Sequence, residues 1–212
     1  MSKPLSWKQA LSNKSFRIHL IAAGFVGILI ILFLPYFFNE ILLPKPGLLL
    51  NDFILSLLEP KDWSWVIFGL IYFTLLLTIY FNYSKPHAIL LGIESYIGIN
   101  LVRIVTLYFV TLEPPQGIIP LIDPLITKAA YGNVVYLKDL FFSGHVSTLF
   151  LLFLIEENKL RKIFILSASI LVGFLILWQH VHYTIDVLSA PLFAGIIYSI
   201  IRKFHSAYLI KR

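Results

Sequence analysis

The stretch Asp139–Ile155, DLFFSGHVSTLFLLFLI, sets a polar Ser-Gly-His triplet at the head of a continuous apolar run. His180–Val187, HVHYTIDV, does the same for a second run that continues to Ile201. A helix of about 20 apolar residues crosses a bilayer core, and lipid admits little else, because unpaired backbone amides there cost several kcal/mol. The composition agrees: 58% of the 212 residues are hydrophobic, against about 45–50% apolar in soluble domains. The fold class expected is therefore all-α, a polytopic membrane bundle. The runs are continuous rather than alternating, which argues against a β-barrel.

Six spans follow, near residues 19–38, 65–83, 88–110, 139–155, 162–178 and 183–201. Residues 1–18 read as a polar cytoplasmic segment, 19–203 as the six-helix domain and 204–212 as a basic cytoplasmic tail. Twelve of the 17 Lys and Arg residues fall on the N-terminus, the second and fourth loops and the C-terminus, and four on the other loops. That bias places both termini in the cytoplasm. The +6 charge is spread between apolar runs rather than clustered on a soluble face, so nucleic acid is not an expected partner. The absence of cysteine excludes disulfides and thiolate metal sites. The third loop, EPPQGIIPLIDP, is too rich in Pro and Gly for a regular helix and is expected to pack on the bundle.

His145 opens the fourth span and His182 the sixth. Two crossings separate them, so both belong at one face, opposite the cytoplasm. Positions four apart on a helix are stacked, which sets Asp186 against His182. A carboxylate on one ring nitrogen fixes the tautomer and leaves the other free as a nucleophile. Ser143 suits an N-cap, Gly144 permits close approach to the backbone, and the free amides of a helix start favour phosphate. His145, in that first turn, is within reach of a leaving oxygen. Arg103 rises about 22 Å up the third span, close to the histidines, and shares a face with Tyr96 and Asn100. His180 reads as interfacial, Glu94 as a polar contact between helices, and Trp63, Trp65, Tyr80 and Tyr83 as interface anchors. The ten residues from His145 to Glu156 make only about 15 Å of helix. Either the fourth helix runs on past Glu156 or the site is sunk below the interface.

These motifs resemble the two histidine motifs of the type-2 phosphatidic acid phosphatase superfamily. The flanks DLFFSGH and HVHYTIDV are most similar to its sphingomyelin synthase branch, and RIVTLYFVTLEPP resembles the end of that branch's third span. The resemblance implies His182 as nucleophile, Asp186 as its orienting partner and His145 as the acid that protonates the departing alcohol. Arg103, Ser143, Gly144, Asp139 and Tyr183 are the residues expected to bind substrate. The chain departs from the lipid phosphatase branch, which carries an Arg where Ile176 stands and an Arg-Pro pair absent here. LPKPGLLLND only loosely echoes the first-loop motif of the synthases.

Charge separates the activities. A phosphate monoester carries close to two negative charges and a diester one. Arg103, a helix start and the nearby Lys128 and Lys138 suffice for a diester. The expected reaction is transfer of phosphocholine or phosphoethanolamine from a glycerophospholipid to a lipid alcohol such as ceramide, in the cytoplasmic membrane, with the site on the extracytoplasmic side. Its partners are membrane lipids as donor and acceptor, with homo-oligomerisation left open; no cofactor or metal is called for. The alternatives are a lipid phosphate phosphatase on the same scaffold and a non-enzymatic transporter or metal-binding protein using His145, His182 and Asp186 as ligands.

Overall fold

The computed structural model describes residues 6–123 and 136–210, with side chains through His205; Lys128 lies outside the described residues. Regular structure among them is helical: α1 Trp7–Ser12, α2 Lys14–Tyr36, α3 Phe53–Ser56, α4 Ser64–Asn82, α5 Pro86–Phe109, α6 Gly144–Ile155, α7 Lys159–Trp178 and α8 Thr184–Ile210. The helix starts follow from local chemistry. Asn13 and Asn158 each accept two backbone N–H groups at the heads of α2 and α7, and Pro86 occupies the first turn of α5, where its missing donor costs nothing. Pro35 removes a donor near the end of α2, and the chain widens into a π-helical segment over Phe37–Leu42.

Five helices, the continuous Lys14–Leu42 run included, are long and apolar enough to cross a membrane. The remaining predicted span is shorter than expected. It begins at Gly144 rather than Asp139 and has 12 residues, about 18 Å. Residues 139–143 leave the helix because α5 claims their polar groups. Asp139 pairs with Arg103, Thr106 donates to the Phe141 carbonyl at 3.2 Å and Arg103 Nε to the Phe142 carbonyl at 2.9 Å. At the other end Glu156 caps α6 in extended conformation, so the helix does not run on.

The short α6 forms the centre of the bundle, with α4, α5, α7 and α8 around it. Leu149, Ile165, Val172, Ile176, Ala190 and Ala194 are fully buried there. Ala190 and Ala194, four apart on α8, let that helix approach closely, and Phe193 stacks on Phe142 with ring centroids 4.5 Å apart. Large apolar side chains such as Ile21, Trp65 and Leu188 point outward instead, as lipid-facing positions do. Trp65, Tyr80 and Tyr83 are likewise exposed at the ends of α4.

Both predicted ends of the bundle are distinct. At the end holding His182, the first and third loops are tied together. Leu48 N–H donates to the Thr111 carbonyl and Glu113 N–H to the Leu48 carbonyl, both at 3.0 Å. Gly47 is required at this crossing, since a Cβ there would lie 2.7 Å from the Leu112 carbonyl carbon. The third loop packs as expected, with Ile119 N–H on the Gln179 carbonyl at 3.1 Å. At the opposite end Glu94 stands between His19 of α2 (3.0 Å) and His205 of α8 (2.8 Å), the interhelical polar contact read from its mid-span position.

The α6–α7 turn depends on Glu156, whose side chain is fully buried. One carboxylate oxygen accepts the N–H groups of Glu157 and Asn158 and the Arg161 guanidinium, at 3.0, 2.8 and 2.9 Å. Glu156→Ala leaves those donors unmatched and is expected to destabilise the protein by on the order of 1–3 kcal/mol. Glu156→Gln, which keeps an acceptor, should lose less. Denaturant titration of the three proteins in detergent checks the order.

Candidate active site

The site is built where α6 and α8 begin. Ser143 N–H donates to the Asp186 main-chain carbonyl at 3.1 Å, so the two helix starts are held side by side and both histidines lie at one end of the bundle. Asp186 organises the α8 start. Its Oδ2 accepts the Tyr183 N–H at 3.0 Å and lies 3.3 Å from His182 Nδ1. The first of these is the acidic half of a capping box, and it explains why the carboxylate is held still against the ring. His182 itself precedes the helix rather than sitting on it, since α8 starts at Thr184. His182 and Asp186 are essentially buried, at 1% and 0% exposure.

His145 is in the first turn of α6, and its ring centroid is 6.4 Å from that of His182, with the planes at 68°. Phe68 meets it edge-on at 5.8 Å. His145 Nδ1 is buried and has no hydrogen-bond partner among the described residues. Ser143 does occupy the N-cap, but the reading of its side chain as the capping group is corrected: its hydroxyl makes no cap bond and is buried without a partner among the described residues. The first helical bond is Ser147 N–H to the Ser143 carbonyl, which leaves the amides of Gly144, His145 and Val146 without intrahelical acceptors.

Gly144 is approached closely, though by protein: an added Cβ would sit 2.7 Å from Arg103 Nη1 and 2.8 Å from Cζ. The guanidinium thus lies over the α6 start, paired with Asp139. Arg103, Asp139, Gly144 and His145 all line one cavity of about 720 Å³ bounded mainly by α4, α5 and α6. His182 is not a lining residue; it stands one ring beyond His145. Tyr183 also faces away from the cavity. It is 1% exposed, and its hydroxyl donates to the Glu113 carbonyl at 3.0 Å and accepts the Leu50 N–H at 3.3 Å. Lys138 is drawn into the loops, donating to Glu113 Oε1 at 2.8 Å and to the Lys45 carbonyl at 2.9 Å.

Several residues outside the expected catalytic set position the site. Asp52, in the first loop, accepts the Thr184 N–H at 2.6 Å and the Thr184 hydroxyl at 2.9 Å, and also caps α3 through Ile54 and Leu55. Its cap pattern before an apolar turn was readable; its hold on α8 was not. Gln179 bonds Trp63 N–H, Ser64 Oγ and the Ile119 carbonyl at 2.8, 3.0 and 3.2 Å. His180, read as interfacial, is instead 7% exposed with φ 57°, and its ring nitrogens face the carbonyls of Gln116 and Leu58 at 2.8 and 3.0 Å. Among the described residues no group of three or more His, Cys, Asp or Glu is placed to hold a metal ion.

Fold and site together define an all-helical protein with membrane-length apolar helices and a paired-imidazole centre at one end of the bundle. Residues 138–204 match the family described as PAP2 superfamily C-terminal. This match takes in both histidine motifs and supports the type-2 phosphatidic acid phosphatase superfamily, and with it lipid phosphatase or phosphotransferase activity. No curated protein matches the chain.

Burial raises the Asp52 carboxyl pKa, but the bonds from Thr184, Leu55 and Ile54 outweigh it and hold the group below its ordinary 3.8. A lowered folded-state pKa contributes stability above the ordinary value and loses it as pH falls through the folded value. Wild type should therefore melt above Asp52→Asn near neutral pH, with the gap closing as the pH is taken below 3.8. Thermal melts in detergent across an acid series measure it.

Proposed function

We propose that the protein transfers a phospho head group, phosphocholine or phosphoethanolamine, from a glycerophospholipid to a lipid alcohol such as ceramide through a phosphohistidine. The observation that supports this best is the facing pair of imidazoles, one held by Asp186 and the other on the wall of a largely apolar cavity beside Arg103. A transfer of this kind needs nucleophile and acid within reach of one phosphorus, and neighbouring imidazoles with ring centroids 6.4 Å apart are consistent with that.

His182 Nε2 attacks phosphorus while Nδ1 is held by Asp186. The bond from phosphorus to the glycerol oxygen breaks, and His145 gives that oxygen its proton, releasing diacylglycerol. The incoming hydroxyl then loses its proton to His145 and attacks the phosphohistidine. The P–N bond breaks, and His182 returns to its starting form. Arg103 and the free amides of the α6 start stabilise the phosphoryl oxygens. No step calls for a metal. From the charge bias, the centre opens on the extracytoplasmic side of the cytoplasmic membrane.

The diester preference draws support from the cations. Among the described residues lining the cavity Arg103 is the only Lys or Arg, and it is already paired with Asp139, while Lys138 is held by Glu113. That balance suits one negative charge better than two.

His182→Ala should abolish turnover of labelled phosphatidylcholine or phosphatidylethanolamine supplied with ceramide. His145→Ala should lower it by about 10²–10⁴-fold, and Asp186→Asn should keep weak activity. Denaturing quench of wild type at alkaline pH should trap head-group label on protein in a form that is lost on later acid treatment and is absent from His182→Ala. Full activity in His182→Ala rules the mechanism out, and free phosphate released from a lipid monoester, with no new head-grouped lipid, identifies the phosphatase instead.

A further inference from the structure

The cavity extends well beyond what head-group chemistry requires. Three helices each give it a full-length stripe. On α4 the stripe runs from Phe68, against His145, to Asn82; on α5 from Arg103 to Ala88; on α6 from His145 to Ile155. At 1.5 Å per residue these stripes are about 15–22 Å long. The reacting groups occupy one end only. Below them the wall is mostly apolar, through Leu75, Ile99 and Leu151 with Tyr96 and Asn100 on the α5 side, down to a floor where Gly92 faces Ile155. The floor also carries polar groups, at Thr78 and Asn82, and Asn82 Oδ1 is buried without a partner among the described residues.

An apolar slot of this length, closed by a buried amide, favours a long hydrocarbon chain up to the floor and disfavours one that would press its methyl end on an unmatched carbonyl. Gly92 sets where that limit falls. A Cβ there would lie 3.0 Å from Ile155 Cδ1, and both residues line the cavity, so any larger side chain fills its lower part. The lack of a side chain at 92 keeps the bottom open.

We infer that the cavity holds one acyl chain of the donor phospholipid, with its phosphate at His145, and that Gly92 with Ile155 forms the stop that sets acyl-chain length. This rests on the reading of the centre as a lipid phosphotransfer site and adds a selectivity that the histidine motifs do not encode.

Two measurements separate the inference from that reading. In the first, wild type, Gly92→Leu, Gly92→Leu/Ile155→Ala and Gly24→Leu are given mixed donors with one head group and octanoyl, myristoyl or oleoyl chains, and products are resolved by mass spectrometry. Gly24 is the control, on α2 with nothing within 4 Å of its Cβ position. Gly92→Leu should lower the oleoyl-to-octanoyl product ratio about tenfold, the size of a modest steric discrimination in an apolar pocket. The double variant should recover most of it, and Gly24→Leu should match wild type. An unchanged ratio in Gly92→Leu overturns the inference.

The second needs no turnover. Phosphatidylcholine carrying a photoreactive diazirine at the acyl terminus is equilibrated with wild type and irradiated, and adducts are mapped. Labels at Ile89, Gly92 or Ile155 support the slot. Labels confined to outward positions such as Phe73 and Leu76 overturn it. Floor labelling without phosphotransfer would sink the proposed function alone, and phosphotransfer without floor labelling would sink this inference alone.

Discussion

One residue, Asp186, holds the arrangement together. Asp186 takes the Tyr183 amide and faces the His182 ring through its side chain, and takes the Ser143 amide through its main chain. The first two contacts start α8 and fix the imidazole; the third joins that start to the head of α6. Because the residue is fully buried, each contact is made in a medium where an unmatched charge is costly. The junction of the two helix starts and the position of His182 therefore meet at one residue.

Around that junction the first and third loops act as a brace. Tyr183 fastens the first and third loops to the α8 start, Asp52 grips Thr184, and Gln179 and His180 hold the loops against the end of α7. The site is rigid on its loop side and open on its cavity side.

Much of this was legible in the residues. Apolar runs gave the helices, and two crossings between His145 and His182 were enough to put both rings at one end. The i to i+4 step placed Asp186 on His182, and the two do meet at 3.3 Å, although His182 lies just outside the helix. Three things were not legible. The start of α6 moved from Asp139 to Gly144 because Arg103 and Thr106, on another helix, take up the polar groups of the intervening residues; apolar periodicity carries no trace of such competition. His180 looked interfacial because, two positions from His182, it would face elsewhere on a helix, whereas its partners are carbonyls 64 and 122 residues away in sequence. Tyr183 and Asp52 likewise owe their roles to loop contacts across more than 100 residues.

The brevity of α6 carries a further consequence. Eighteen or so ångströms of helix cannot reach both boundaries of a hydrocarbon layer about 30 Å deep. Its polar Glu156 turn and its His145 turn cannot then both be in bulk water, unless the bilayer pinches around the protein. Irregular backbone is tolerated at such depth only inside protein, and the approach to His145 meets that condition, with Leu140, Phe142 and Ser143 all buried. If the polar end is the anchored one, the imidazoles sit in a recess with low water activity. Which nucleophile intercepts a reactive phosphorus in such a recess is decided less by side-chain chemistry than by how dry the surroundings are.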